Sequence, residues 1–142
     1  MLAMQEAATH VSALRTRPLN VIVADDVVEI QVLVETWLND IGCLVKCASS
    51  GHEVSKLLGQ QHFDLVITDV LMPDGDGLDV IVELKQSQRK TRVLAISGGG
   101  RHLQAAQCLK MAHGLGAHEV LLKPFNRQQL LAAVRRVTQA GN

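Results

Sequence analysis

After Pro18 the pattern of apolar and polar positions changes period again and again. Residues 19–24 form a short apolar run rich in β-branched side chains and closed by Asp25-Asp26, the pattern of a buried strand. Ile30, Leu33, Val34, Trp37, Leu38 and Ile41 then recur at helical spacing, predicting one apolar stripe on a helix that ends near residues 39–42. A second strand is expected over 43–48. Ser50-Gly51-His52-Glu53 has the form of a capping box, opening a helix that turns Val54, Leu57 and Leu58 inward. Residues 63–68 predict a third strand with Asp69 at its end. Pro73, Gly75 and Gly77 mark a loop before a helix over 78–86. A fourth strand over 92–96 is stopped by Ser97-Gly98-Gly99-Gly100, a helix follows over 103–113, and a fifth strand over 119–122. Asn126 and Gln129 repeat the capping-box spacing, with Phe125 and Leu130 placed for a hydrophobic staple before a helix carrying Leu131, Val134 and Val137.

Five alternations of apolar strand and helix imply an α/β domain with a parallel sheet covered on both faces, and right-handed crossovers make a doubly wound fold its simplest closure. In such a sheet, sites collect at the carboxyl ends of the strands. The 142 residues suffice for one domain over 19–142, preceded by an N-terminal extension over 1–18 that is either helical or disordered. Fourteen basic and fourteen acidic residues give a net charge of zero, which argues against direct DNA binding and against an electrostatic membrane anchor. No apolar run is long enough to span a bilayer, and the N-terminus lacks the apolar core of a secretory signal. Cys43, Cys47 and Cys108 form no CxxC pair and the histidines have no zinc spacing, so free thiols in a reducing, cytoplasmic setting are expected.

Chemistry-bearing residues stand at the predicted strand ends: Asp25 and Asp26, Ser49 and Ser50, Asp69, Ser97, and Lys123-Pro124. Three carboxylates crowded into one crevice repel, and a hard divalent cation such as Mg²⁺, with Mn²⁺ as a substitute, relieves that repulsion through oxygen ligands. A cation, a lysine and a hydroxyl converging on one aspartate would make a receptacle for a phosphoryl group. Other site types fit less well. The Asp74-Gly75-Asp76-Gly77 run departs from a calcium loop at Leu78, and the glycines after Ser97 lack the lysine of a phosphate-binding P-loop.

The acidic pair 25–26, the run ITDVLMPDGDG over 67–77, the Ser97-Gly98 step and the KPF triplet 123–125 together resemble the receiver domains of two-component response regulators. The resemblance covers residues 19–139. It implies a flavodoxin-like fold with strand order 2-1-3-4-5. By the same resemblance Asp69 is the phosphoacceptor, Asp26 a direct Mg²⁺ ligand, Asp25 a ligand acting mainly through metal-bound water, and Leu71 a ligand through its backbone carbonyl. Ser97 with Gly98 forms the switch that meets the phosphoryl oxygens, Lys123 pairs with the acyl phosphate, and Pro124 carries over as a cis proline. The phosphodonor would be a sensor histidine kinase or a histidine phosphotransfer protein. The chain would assist its own phosphorylation without being a conventional enzyme. Because the chain stops just after its fifth helix, it is expected to act as a stand-alone regulator, monomeric or weakly dimeric, through an unidentified downstream protein. A receiver fragment of a hybrid kinase and an unphosphorylated interaction module are the alternatives. An aspartyl-phosphate phosphatase or mutase would need an acid where Leu71 stands.

Two positions depart from the family pattern. The aromatic switch position, three residues before the lysine, is Val120, in a chain with no tyrosine. Leu71 is apolar where relatives often carry a polar residue, which predicts slow dephosphorylation. The glycines after Ser97 read equally well as a mobile lid or as a permissive connection.

Overall fold

The computed structural model describes residues 17–72, 77–87, 89–98 and 105–139. Among these residues five strands, β1 (Asn20–Ala24), β2 (Leu44–Ala48), β3 (Leu65–Asp69), β4 (Arg92–Ser97) and β5 (Glu119–Leu122), alternate with five helices. These are α1 (Val28–Asp40), α2 (Gly51–Gln60), α3 (Gly77–Gln86), α4 (Ala105–Leu115) and α5 (Arg127–Gln139). All strand pairs are parallel and the order is β2-β1-β3-β4-β5, the doubly wound sheet that the alternation of elements predicts. The extension over 1–16, the loop residues Pro73, Asp74, Gly75 and Asp76, Gly99, Gly100 and the start of the helix expected at 103 lie outside the described residues, as does the Cys108 side chain.

Strand side chains alternate between two cores. Ile22, Val66, Val93 and Ala95 face α2, α3 and α4, meeting Val54, Leu58, Val80, Ile81 and Leu84. Val21, Val23, Leu65, Ile67, Leu94 and Ile96 face α1 and α5, meeting Val34, Leu38, Leu130, Val134 and Val137. With both faces covered, β1, β3 and β4 are buried almost end to end. Each fully buried Ile or Leu contributes roughly 1.5–3 kcal/mol. β2 differs because it is an edge strand, and its exposure alternates from Leu44 to Cys47.

The helix ends follow local chemistry. Ser50 Oγ accepts the Glu53 amide at 3.2 Å, while Glu53 Oε1 reaches one residue further back than the motif requires, to the Ser49 amide at 2.9 Å. Asn126 and Gln129 exchange side-chain-to-amide bonds of 2.8 and 2.9 Å at the start of α5. Gly42 (φ +89°) takes the left-handed conformation that ends α1 and turns the chain into β2.

The stripe expected on α1 is narrower than its sequence suggests. Leu33 and Ile41 are exposed, and a polar residue, Gln31, is buried beside Val34 and Leu38. The helix meets the sheet along one ridge, so the flanking apolar positions miss it. Trp37 and Phe125 are half-buried and stack edge to face with centroids 6.4 Å apart, joining α1 to the start of α5. Cys43 is buried and Cys47 half-buried, and burial beside Glu35 pushes the Cys47 thiol up to about 11.

Candidate functional site

The parallel register brings the ends of β1, β3, β4 and β5 to one edge of the sheet. Asp25 follows β1, Asp69 ends β3, Ser97 ends β4 beside Leu122, and Lys123 follows β5. Carboxylate oxygens of Asp25, Asp26 and Asp69 all lie within 4.8 Å of one another. Asp25 is fully buried, Asp69 nearly so, and Asp26 stands exposed at the rim.

Each buried carboxylate is held by one oxygen and presents the other. Asp25 Oδ1 accepts the Val27 amide at 2.9 Å, and Asp69 Oδ1 accepts the Leu71 amide at 3.1 Å. Lys123 Nζ sits between the two Oδ2 atoms, 2.7 Å from Asp25 and 2.9 Å from Asp69. The contact with Asp69 is a hydrogen bond. The one with Asp25 is a close ion pair to a fully buried carboxylate. One lysine thus serves two carboxylates. Burial alone would lower the Lys123 pKa, but the two aspartates outweigh it and raise it. Asp69, with only a share of that cation, is pushed up by burial and further by the charge of Asp25, against the opposing pull of Lys123 and the Leu71 amide.

The donor set fits a small hard divalent cation. It is all oxygen, two of its three carboxylates are buried, and its negative charge exceeds what Lys123 balances. Among the described residues, Asp25, Asp26 and Asp69 are the side chains that could hold such an ion.

The remaining residues expected at the site lie close by. Ser97 is fully buried, and its carbonyl accepts the Lys123 amide at 3.0 Å. Gly98 faces the lysine stem so closely that a Cβ there would lie 3.3 Å from Lys123 Cδ. The Lys123-Pro124 peptide bond is cis. Val120 is half-buried, and together with Leu71 it packs against the core on the α2–α3–α4 face.

Gly77 has a part in the site that its sequence context does not reveal, since there it reads only as a turn marker. A Cβ on Gly77 would overlap the Asp69 carbonyl oxygen and come within 2.9 Å of the carbonyl carbon. The absence of a side chain lets the first turn of α3 press directly on the backbone of the central aspartate.

Comparison with known proteins agrees with this geometry. The response regulator receiver domain model matches residues 21–135. The transcriptional regulatory protein CpxR of Klebsiella pneumoniae is 32% identical over 122 residues, covering 86% of this chain and 50% of that protein. The DNA-binding transcriptional regulator NtrC of Azospirillum brasilense is 30% identical over 121 residues, covering 85% of this chain and 24% of that protein. The chain therefore spans half or less of the length of these curated relatives. Among solved structures, the chemotaxis response regulator CheY4 of Vibrio cholerae matches with a TM-score of 0.75 at 30% identity, over 84% of this chain and 98% of that one. The receiver domain of NtrX from Brucella abortus matches with a TM-score of 0.77 at 26% identity, over 85% and 99% of the two chains. With five parallel strands in the order 2-1-3-4-5 and an acidic cluster at their carboxyl edge, the chain belongs to the receiver domain family of response regulators.

Proposed function

We propose that this receiver accepts a phosphoryl group on Asp69 from the phosphohistidine of a sensor histidine kinase or a histidine phosphotransfer protein. The single observation that carries the reading is Lys123 Nζ, 2.9 Å from Asp69 Oδ2 inside a cluster of three carboxylates. In the transfer, an oxygen of the Asp69 carboxylate forms the new P–O bond as the P–N bond of the donor breaks. The imidazole nitrogen leaves with the bonding electrons. When bound by Asp25, Asp26, Asp69 and the Leu71 carbonyl, Mg²⁺ would neutralise charge on the transferring group. The protein's own part is to hold the acceptor still and to keep a cation beside it.

Transfer places roughly −1.5 to −2 charges next to Lys123. The ammonium then has a stronger partner than either carboxylate, and Ser97 becomes a donor to the new oxygens. Interactions that exist in only one state are what shift a two-state equilibrium. With Val120 at the aromatic position, the signal travels through the Gly98 segment and α4 rather than through a rotating ring. It leaves by the surface of α4, β5 and α5, where Met111, Leu115 and Leu122 are exposed. The chain thus acts as a phosphoacceptor that assists its own modification, not as a turnover enzyme.

Intact mass after incubation with Mg²⁺ and a small phosphodonor tests the reading. The parent should gain one phosphoryl group and Asp69→Ala none. An equal gain in both, or in neither, would sink it, and the second result would favour an unphosphorylated interaction module.

A further inference from the structure

Gln31 is a polar side chain buried in the apolar face of α1, five residues beyond Asp26. Its Nε2 lies 2.6 Å from the Asp25 carbonyl, 3.1 Å from the Ala48 carbonyl and 3.0 Å from Ser49 Oγ. The two carbonyls only accept, so the amide must turn its NH₂ end toward them. The Asp25 amide also donates to the Ala48 carbonyl at 3.1 Å, and the Ser49 amide donates to Glu53 at the start of α2. The main chain of Asp25 is therefore pinned to the end of β2 twice, once by its own amide and once through Gln31.

This pinning constrains how the carboxylate points. The backbone of Asp25 is fixed from the α1 side, and its Oδ1 is tied to the Val27 amide. Oδ2 is left aimed at the cluster, buried and 2.7 Å from Lys123 Nζ. A methionine in place of Gln31 would fill a similar volume. It would leave the Asp25 and Ala48 carbonyls without that donor, and the loop bearing Asp25 and Asp26 would have one fewer tie.

We infer that Gln31 is a positioning residue for the cation site, setting the aim of the Asp25 carboxylate by clamping the β1–α1 loop to the end of β2. The inference rests on the reading that Asp25, Asp26 and Asp69 hold Mg²⁺. Residues that orient metal ligands typically affect affinity by about 10–100-fold. A residue that merely filled the core would lower stability and leave affinity unchanged.

The test uses the full chain as Gln31→Met, with Gln31→Glu as a second variant of nearly the same shape that lacks the NH₂ donor. Val134→Ala, on the buried face of α5, serves as the control for lost stability. Two readouts are taken: calorimetric titration with Mg²⁺ alone, and amide hydrogen exchange at Asp25 and Val27 without metal. Both Gln31 variants should bind Mg²⁺ about tenfold more weakly and exchange those amides faster, while Val134→Ala changes neither. If a folded Gln31 variant bound within twofold of the parent, or if Val134→Ala weakened binding as much, the inference would be overturned. A parent that takes up no Mg²⁺ would overturn the site reading itself, a failure visible before any variant is compared.

Discussion

Two aspartates flank the same central strand and live under opposite electrostatic conditions. Asp64, just before β3, is saturated: Arg17 grips both its oxygens at 2.8 and 2.9 Å, the Asn20 amide donates at 2.8 Å, and His62 stands at 3.2 Å. Partial burial would raise its pKa, but these partners outweigh it and hold the carboxyl below its usual value. Asp69, at the other end, has one amide and a share of one lysine, and burial holds its pKa above the usual value. One end of β3 uses its charge to fasten the chain. The other leaves charge under-compensated, and that is the end able to gain from a cation or a phosphoryl group. The carboxyl edge of the sheet is electrostatically the less satisfied edge, the condition under which a bound ligand gains most.

The largest expected effect comes from disturbing the backbone under Asp69. Gly77→Ala forces a Cβ into the Asp69 carbonyl, so α3 or the end of β3 must shift. A loss of about 3 kcal/mol in urea unfolding is expected, at the upper end of overpacking costs. Mg²⁺-dependent phosphorylation should fall with it.

Neutralising the two aspartates should split in sign. Asp69→Asn removes a buried carboxylate that repels Asp25, and is expected to stabilise the protein by about 1 kcal/mol near neutral pH while abolishing phosphorylation. Asp64→Asn takes the charged acceptor from the Asn20 amide and should cost about 1 kcal/mol from that bond alone. Chemical denaturation of the pair side by side checks this, and equal signs would refute the comparison.

The pH dependence sharpens the same contrast. The folded-state pKa of Asp64 is lowered, so its stabilisation is fully present above the unfolded value near 3.8 and is lost as pH falls through the folded value. For Asp69 the folded-state pKa is raised, so its contribution has the opposite slope: stability is lost as pH rises from 3.8 through the folded value. Melting curves between pH 3 and 7 should therefore be shallower at the acid end for Asp64→Asn and steeper for Asp69→Asn. His118 adds a weaker limb. Its Nδ1 accepts the Val93 amide at 3.0 Å, which requires the neutral ring, and burial followed by nearby Arg92 lowers its pKa. That contribution is full above 6.5 and declines as pH falls below it.

The smallest expected effect is kinetic. Leu71, two residues past the acceptor and half-buried against the core on the α2–α3–α4 face, is apolar. Leu71→Asn should shorten the lifetime of the aspartyl phosphate several-fold with little change in stability. Timed mass spectrometry after removal of the phosphodonor measures it, and an unchanged lifetime would show that Leu71 does not restrain attacking water.

Local interactions were the most legible part of this protein. The caps at Ser50 and Asn126 involve neighbours three or four residues apart, and the apolar runs of β1, β3 and β4 reflect burial on both faces of a parallel sheet. The site was legible as well, because its residues fall where strands end and a parallel sheet gathers those ends on one edge. Leu33 and Ile41 kept the helical period of α1 yet stayed in solvent, since the width of a buried stripe depends on how the helix lies on its sheet.

From its sequence alone the protein had five βα units, a net charge of zero and a set of carboxylates, hydroxyl and lysine at successive strand ends. Only the folded chain decided how those groups share their partners. Tertiary contact made Lys123 the common cation of Asp25 and Asp69, put Gly77 against the Asp69 backbone and set Gln31 between β1 and β2. The physical reason is separation along the chain. Periodicity and capping act within a few residues, whereas the balance of charge at a buried site depends on which distant atoms the fold brings within 3 Å.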